Sequence, residues 1–246
     1  MRLAKGSPML TVQSATIGYG RTAVARDINM SVVSGEVVAV LGTNGAGKST
    51  LVRTLLGVQP ILTGKVAWDR DEHKPVAYLS QLTDFDRQFP MNVWTLVSSG
   101  SWGQKRGGLS VKSKVELALA KVDMMQFAKA PIHELSGGQL QRARFARAMV
   151  QDSDFIILDE PFSAVDQRRE EQLMNLIESW AKEGRAVLMI MHDLSAALRL
   201  CSRALLMGEG GSDFGATSQI LSSERLVARG YMSQAQVDVM HEAAHA

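Results

Sequence analysis

With 246 residues, 46% of them hydrophobic, the chain can build one large α/β domain, or a domain with a subdomain, around a substantial core. Twenty-seven Lys and Arg against 25 Asp and Glu leave a formal charge of +2, without the basic excess of a nucleic-acid-binding surface. The single cysteine, Cys201, excludes an internal disulfide, and no apolar run approaches the roughly 18 residues of a membrane span.

MRLAKGSPML has a basic start but no long apolar stretch, so no secretory signal is visible and a soluble, cytoplasmic chain is expected. Any membrane spans would then come from another polypeptide. Leu10 to Ile17 alternates loosely and reads as a strand. Tyr19, between Gly18 and Gly20, is expected in a turn that presents its ring. Asp27 to Val33 reads as a second strand and leads through Ser34-Gly35 into Glu36 to Leu41, an apolar run suited to a buried strand. GTNGAGKST follows, Gly42 to Thr50, with Gly42, Gly47, Lys48 and Ser49 in the slots of the phosphate-binding loop G-x-x-x-x-G-K-[ST]. Its glycines, Gly45 among them, let backbone N–H groups close round a phosphate, and the helix Ser49 to Leu56 aims its positive end at the anion. Lys48 would reach the β- and γ-phosphates and the Ser49 hydroxyl would complete the coordination of Mg²⁺, with Asn44 and Thr50 in the same loop. Thr63-Gly64 marks a turn before a strand over Lys65 to Trp68. Arg70 to Lys74 is a charged loop, and a strand over Val76 to Leu79 ends at Gln81.

From Leu82 to Lys129 hydrophobics recur at helical spacing, first Val93, Leu96 and Val97, then Val115, Leu117, Leu119, Val122 and Met125. Ser113 and Glu116 suggest a capping box, and the glycine-rich Gly100 to Gly108 separates the two helices. Ser136-Gly137-Gly138 before the helix of LSGGQLQRARFARAMV is a second anion cradle of backbone N–H groups. Arg142, Arg144 and Arg147 along it read as salt-bridged or solvated. One chain needs no second cradle for one γ-phosphate, whereas two chains head to tail would use both. Phe155 to Glu160 is an apolar strand ending in two carboxylates, about 110 residues after the phosphate loop. Asp159 would hold Mg²⁺ through water and Glu160 would orient and polarise the attacking water. A helix over Gln167 to Ala181, a strand over Ala186 to His192 and two short pieces complete the chain. Cys201 is expected to pack on a helix rather than to react. His241 and His245 have metal-ligand spacing but are expected in a frayed tail.

GTNGAGKST, LSGGQ, FIILDEP, SAVD and the isolated His192 resemble, in order and spacing, the ATP-binding subunits of ATP-binding-cassette (ABC) transporters, over roughly Leu10 to Leu221. The resemblance implies one domain over 1–246. Its fold would be a P-loop NTPase core of α/β class, with an N-terminal antiparallel β portion and a helical subdomain over about 82–150. It implies an ATP hydrolase using ATP and Mg²⁺, forming a homodimer on ATP binding. The subunit would sit peripherally on the cytoplasmic face of the inner membrane, against integral membrane permease subunits and, through them, an extracytoplasmic solute-binding protein. Nucleic acid is not among the implied partners. By the same resemblance Tyr19 stacks on adenine, and Ser136, Gly137, Gly138 and Gln139 receive the partner's nucleotide. Gln81 links Mg²⁺ and the attacking water to the membrane partner, Asp166 contacts the opposite protomer and His192 senses the γ-phosphate.

TDFDRQFPMNVWTLVSSGSWG, after Gln81, resembles the ATPases of manganese, zinc and iron importers, with Asp86, Arg87, Phe89, Pro90, Val93, Val97 and Gly100 matching. Ser80 replaces a proline common in the family. The resemblance points first to a zinc- or manganese-type importer and next to siderophore or haem importers. ABC ATPases of DNA repair, chromosome structure or the ribosome carry long coiled-coil insertions or two cassettes, and about 85 residues between Lys48 and LSGGQ leave no room for a coiled coil. A regulatory ABC ATPase that moves no solute is the remaining alternative.

Overall fold

The computed structural model describes residues 6–69, 75–81, 86–102 and 109–233; the expected charged loop Arg70 to Lys74, most of Gly100 to Gly108 and the pair His241 and His245 lie outside them. Strand β1 (Pro8–Tyr19) pairs antiparallel with β2 (Thr22–Val33) on one edge and with β4 (Thr63–Trp68) on the other, as a three-stranded sheet. Its inner face is set by period-two alternation, with Leu10, Val12, Ile28, Met30 and Val32 buried. Tyr19 is the last residue of β1, paired with Thr22, rather than a turn residue. The hairpin is so tight there that a Cβ on Gly18 would stand 2.0 Å from the Thr22 carbonyl oxygen. Thr63-Gly64 likewise belongs to a strand: Gly64 has φ +87° and sits against a bulge at Ser14, where a Cβ would meet the Ser14 oxygen at 2.4 Å.

The second sheet runs β5 (Ala77–Leu79), β6 (Phe155–Asp159), β7 (Ala186–Ile190), β3 (Val37–Gly42), β8 (Arg203–Gly208), all parallel, with β9 (Gly211–Ala216) antiparallel at the edge. Every residue of β3, β6 and β7 is buried, as expected of strands covered on both faces. Val38, Val40, Phe155, Ile157, Leu188 and Ile190 face the three-stranded sheet and helix α1 (Lys48–Leu55). Ala39, Leu41, Ile156, Leu158, Val187 and Met189 face a helical layer. That layer contains α2 (Val93–Ser98), α3 (Val111–Lys121), α4 (Gly137–Gln151), α5 (Gln167–Lys182) and α6 (Leu194–Leu200), with α7 (Thr217–Ile220) and α8 (Ser223–Ala228) beside it. The described part of Val93 to Met125 holds α2, α3 and short helical turns joined by irregular residues, and no strand.

Two further local expectations are overturned. Helix α3 starts at Val111, two residues before Ser113: its N-cap is Ser110, in extended conformation, whose hydroxyl accepts the Ser113 N–H at 3.1 Å. Ser113 therefore cannot cap anything; it is already in the first turn. The arginines of α4 are not solvated either, Arg142 and Arg144 being only 8% and 6% exposed. Arg142 donates to the carbonyls of Val122 (2.8 Å) and Asp123 (3.1 Å), and Arg147 to the Ser99 hydroxyl (3.0 Å). The five-donor guanidinium fork can serve loop carbonyls that no neighbouring strand or helix satisfies. Burial lowers the pKa of both Arg142 and Arg147.

Candidate nucleotide site

Parallel strands deliver their following loops to one edge of the sheet, the edge where α/β folds bind ligands. Here that edge receives the residues after β5, β6, β7 and β3. Strand β3 ends at Gly42, φ +155°, where a Cβ would lie 2.3 Å from the Met207 carbonyl oxygen of the adjoining strand. The loop then passes through left-handed Gly45 (φ +84°) and Gly47 (φ +97°), the latter opening α1. Backbone N–H groups and the helix start can thereby face the same anion. Lys48 Nζ spans the loop, donating to the carbonyls of Gly42 at 2.7 Å and Thr43 at 2.9 Å. Its burial lowers the ammonium pKa, and the negative charges of Glu160 and then Asp159 push it back up, so both carboxylates act on this cation. Asn44, Gly45 and Ser49 are exposed at the loop's mouth, whereas Thr50 is buried. The Thr50 hydroxyl (3.3 Å) and Arg53 (3.2 Å) both donate to the Tyr19 phenol, Thr50 contributing most to lowering its pKa. Tyr19 is thus held beside the first turns of α1 with its side chain outward.

Asp159, the last residue of β6, is 3% exposed, and the Tyr78 hydroxyl donates to its Oδ2 at 3.3 Å. Glu160 leaves the strand in the left-handed region (φ +49°), unusual for a residue with a Cβ. Holding it there costs about 1–2 kcal/mol. Its N–H is tied to the Ile190 carbonyl at 2.9 Å, and its own carbonyl accepts the Ser163 N–H at 3.2 Å and hydroxyl at 3.0 Å. The side chain, half-buried, shares with Phe162, Ser163, His192 and Asp193 a cavity of about 200 Å³. Glu160 and His192 are thus brought together although 32 positions separate them in the sequence. Gln81 stands two residues beyond β5, whose Leu79 pairs with Leu158, and so leaves the same sheet edge as Asp159 and Glu160.

The LSGGQ stretch lines a second concavity. Ser136 is the N-cap of α4 in a reciprocal capping box: its hydroxyl accepts the Gln139 N–H at 3.2 Å, and the Gln139 side chain accepts the Ser136 N–H at 2.8 Å. The N–H groups of Gly137 and Gly138 are first-turn donors, which have no intrahelical acceptor. Asp166, N-cap of α5, shares with Ser136 to Gln139, Ala164 and Val165 a cavity of about 270 Å³. A Cβ on Gly138 would come within 3.0 Å of the Ala164 oxygen. This cavity has no lining residue in common with that of Glu160 and His192.

Sequence reasoning missed Tyr231, whose hydroxyl donates to the His192 carbonyl from the far end of the chain. It also missed Gln141, completely buried, which donates to the Pro161 carbonyl at 2.8 Å just after Glu160. The signal was present in the second case, since Gln141 lies on a helix whose neighbours Leu140, Ala143 and Phe145 are all core residues.

The ABC transporter family pattern matches residues 25–163. The chain is 34% identical over 223 residues to the manganese transport system ATP-binding protein MntB of Bacillus subtilis (strain 168), covering 87% of this chain and 89% of that one. It is 36% identical over 204 residues to the zinc transport system ATP-binding protein TroB of Treponema pallidum (strain Nichols), covering 80% and 77%. Among solved structures, cbiO1 from Clostridium perfringens, part of the ABC transporter complex cbiONQ, superposes with TM-score 0.76 at 25% identity over 96% of this chain and 99% of that one. No helix among the described residues is long and apolar enough to cross a membrane. By family pattern, length-spanning relatives and fold, this chain belongs to the ABC transporter family, as an ATP-binding subunit that hydrolyses ATP.

Proposed function

We propose that the chain, acting as one ATP-binding unit, powers the uptake of a divalent metal ion, zinc or manganese, through a separate membrane permease. It would lie on the cytoplasmic face of the inner membrane, against permease subunits to which an extracytoplasmic binding protein delivers the solute. The observation that carries this reading is the likeness, over most of both chains, to ATP-binding proteins named for manganese and zinc transport. The stretch that resembles metal importers adds support. Val93, Val97 and Gly100 are buried and anchor it, a Cβ on Gly100 falling 2.3 Å from the Arg147 oxygen, while Phe89 is 53% exposed for a partner.

At the strand ends Lys48 and the loop N–H groups of Gly42 to Thr50 bind and neutralise the triphosphate, and Tyr19 offers its ring to the base. Glu160 orients the attacking water and accepts its proton; His192 holds the γ-phosphate. The residues fit Mg²⁺: Ser49, Gln81 and Asp159 present hard oxygen donors, and Asp159 is a carboxylate buried within the field of Lys48. When bound, Mg²⁺ neutralises charge on the phosphate oxygens. A second copy, head to tail, brings Ser136 to Gln139 to the same nucleotide, with Asp166 beside the protomer boundary.

The test is metal uptake in a deletion strain supplied separately with zinc, manganese and iron. Uptake of zinc or manganese should fall, returning with the wild-type chain but not with Lys48→Ala. Normal uptake of all three, with loss of a siderophore, haem or another solute, overturns the metal reading and leaves the ATPase assignment standing.

A further inference from the structure

Helix α4 does more than begin with the LSGGQ cradle. Three side-chain contacts fasten it to the segments that carry Gln81 and Glu160. Arg144, the eighth residue of the helix, is 6% exposed and sends one guanidinium nitrogen to the Ser80 carbonyl at 2.6 Å and the Ser80 hydroxyl at 3.0 Å. Its other terminal nitrogen donates to Gln141 Oε1 at 3.0 Å, and Gln141 Nε2 donates onward to the Pro161 carbonyl at 2.8 Å. Ser80 precedes Gln81, and Pro161 follows Glu160. On the other side of Gln81, Arg87 donates to the carbonyl of Leu135, the residue before the α4 N-cap. The Gln81 segment is therefore pinned to α4 before and after the glutamine, and the Glu160 turn is pinned to it through Gln141.

We propose that Arg144 is a positioning residue for ATP hydrolysis. Without touching nucleotide, it sets Ser80–Gln81 and, through Gln141, the Glu160–Pro161 turn relative to the helix that begins at Ser136. The groups placed round the attacking water then share one rigid reference. The Glu160 backbone is held in a left-handed conformation that its own preference opposes, so removing an external constraint shows first in its geometry. The inference rests on the roles assigned above to Gln81 and Glu160.

The chemistry predicts a graded series. Arg144→Met keeps the unbranched stem but no donor, Arg144→Lys keeps one donor for the Ser80 carbonyl, and Ser80→Ala removes the hydroxyl that accepts from Arg144 and donates to the Gln81 carbonyl at 3.4 Å. Misplacing a catalytic group by about 1 Å costs on the order of a hundredfold in rate. In steady-state ATPase assays of the purified full chain, Arg144→Met should lower kcat roughly ten- to hundredfold with KM for ATP within about twofold. Arg144→Lys should recover part of that loss, and Ser80→Ala should cost about two- to threefold and nothing further when combined with Arg144→Met. If Arg144→Met does not fold, as judged by its thermal transition, Arg144→Lys and Ser80→Ala decide the matter. Wild-type kcat in both, or a rise in KM that accounts for the whole loss, overturns the proposal. Glu160→Gln measured alongside separates the two levels: if it still hydrolyses ATP, the underlying role of Glu160 fails. If it is inactive while the Arg144 series is normal, only the positioning inference fails.

Discussion

Lys48 and Glu160 act on each other across the strand ends, yet their loss should be felt at different steps. A charge-assisted hydrogen bond contributes about 1.5–3 kcal/mol, so Lys48→Ala should weaken ATP binding roughly ten- to hundredfold. Glu160→Gln keeps shape and hydrogen bonding but cannot take a proton. It should bind ATP within about threefold of wild type and lose roughly a hundred- to ten-thousandfold in turnover, the range for removing a general base. Nucleotide binding and phosphate release, measured on both variants, check this, and equal loss of affinity would argue against the division of labour. Cys201 gives an independent check on packing. It caps α6, is 5% exposed, and its thiol is pushed up to about 12 by burial first and the Glu36 charge second. At pH 8 only on the order of one in ten thousand such thiols is ionised. Alkylation of the folded protein should therefore be far slower than that of the unfolded chain, and mass spectrometry of pulse-labelled protein reads it directly.

Two helices with the same kind of cap provide a comparison in which structure and function separate. Ser110 opens α3 and Ser136 opens α4, each accepting the backbone N–H three residues on. Replacing either serine by alanine should cost about 1 kcal/mol of stability, readable from denaturant midpoints. Only Ser136→Ala should also reduce ATPase activity, because only α4 starts at the proposed cradle. Equal activity in the two variants would confine Ser136 to capping. Most elements were legible because their signals are local: buried strands β3, β6 and β7 are continuous apolar runs, and the phosphate loop and LSGGQ stretch hold their chemistry within nine residues or fewer. What stayed hidden depends on distant partners. Arg142 and Arg144 look like surface arginines until the carbonyls of Val122, Asp123 and Ser80 come within reach. The hydrogen bond from Tyr231 to the His192 carbonyl joins residues 39 apart, a pairing no periodicity encodes. Ser113 reads as a cap in the sequence because Glu116 stands three residues on, a signature Ser110 lacks, and only the extended backbone at Ser110 reveals the true cap.

On the scale of the whole molecule, the proposed function gives one chain two helix starts suited to an anion and one γ-phosphate to fill them. The start of α1 stands at the strand ends near Glu160, while the start of α4 lines a concavity with Asp166 and shares no residue with the Glu160–His192 cavity. Burying unsatisfied first-turn N–H groups is costly and an anionic ligand is their natural acceptor. In the proposed head-to-tail pair one nucleotide would lie between α1 of one protomer and α4 of the other, so that ATP itself would be part of the interface. Association should then be linked to nucleotide by mass action, present when ATP is bound and lost once it is hydrolysed. Light scattering on Glu160→Gln should give a monomer without nucleotide and a doubled mass with ATP and Mg²⁺. Lys48→Ala should remain monomeric under both conditions, and Ser136→Ala should need more ATP to reach half-dimer. If Glu160→Gln shows the same mass with and without ATP, then the nucleotide does not bridge two chains, and the role of Ser136 to Gln139 must be sought within a single protomer.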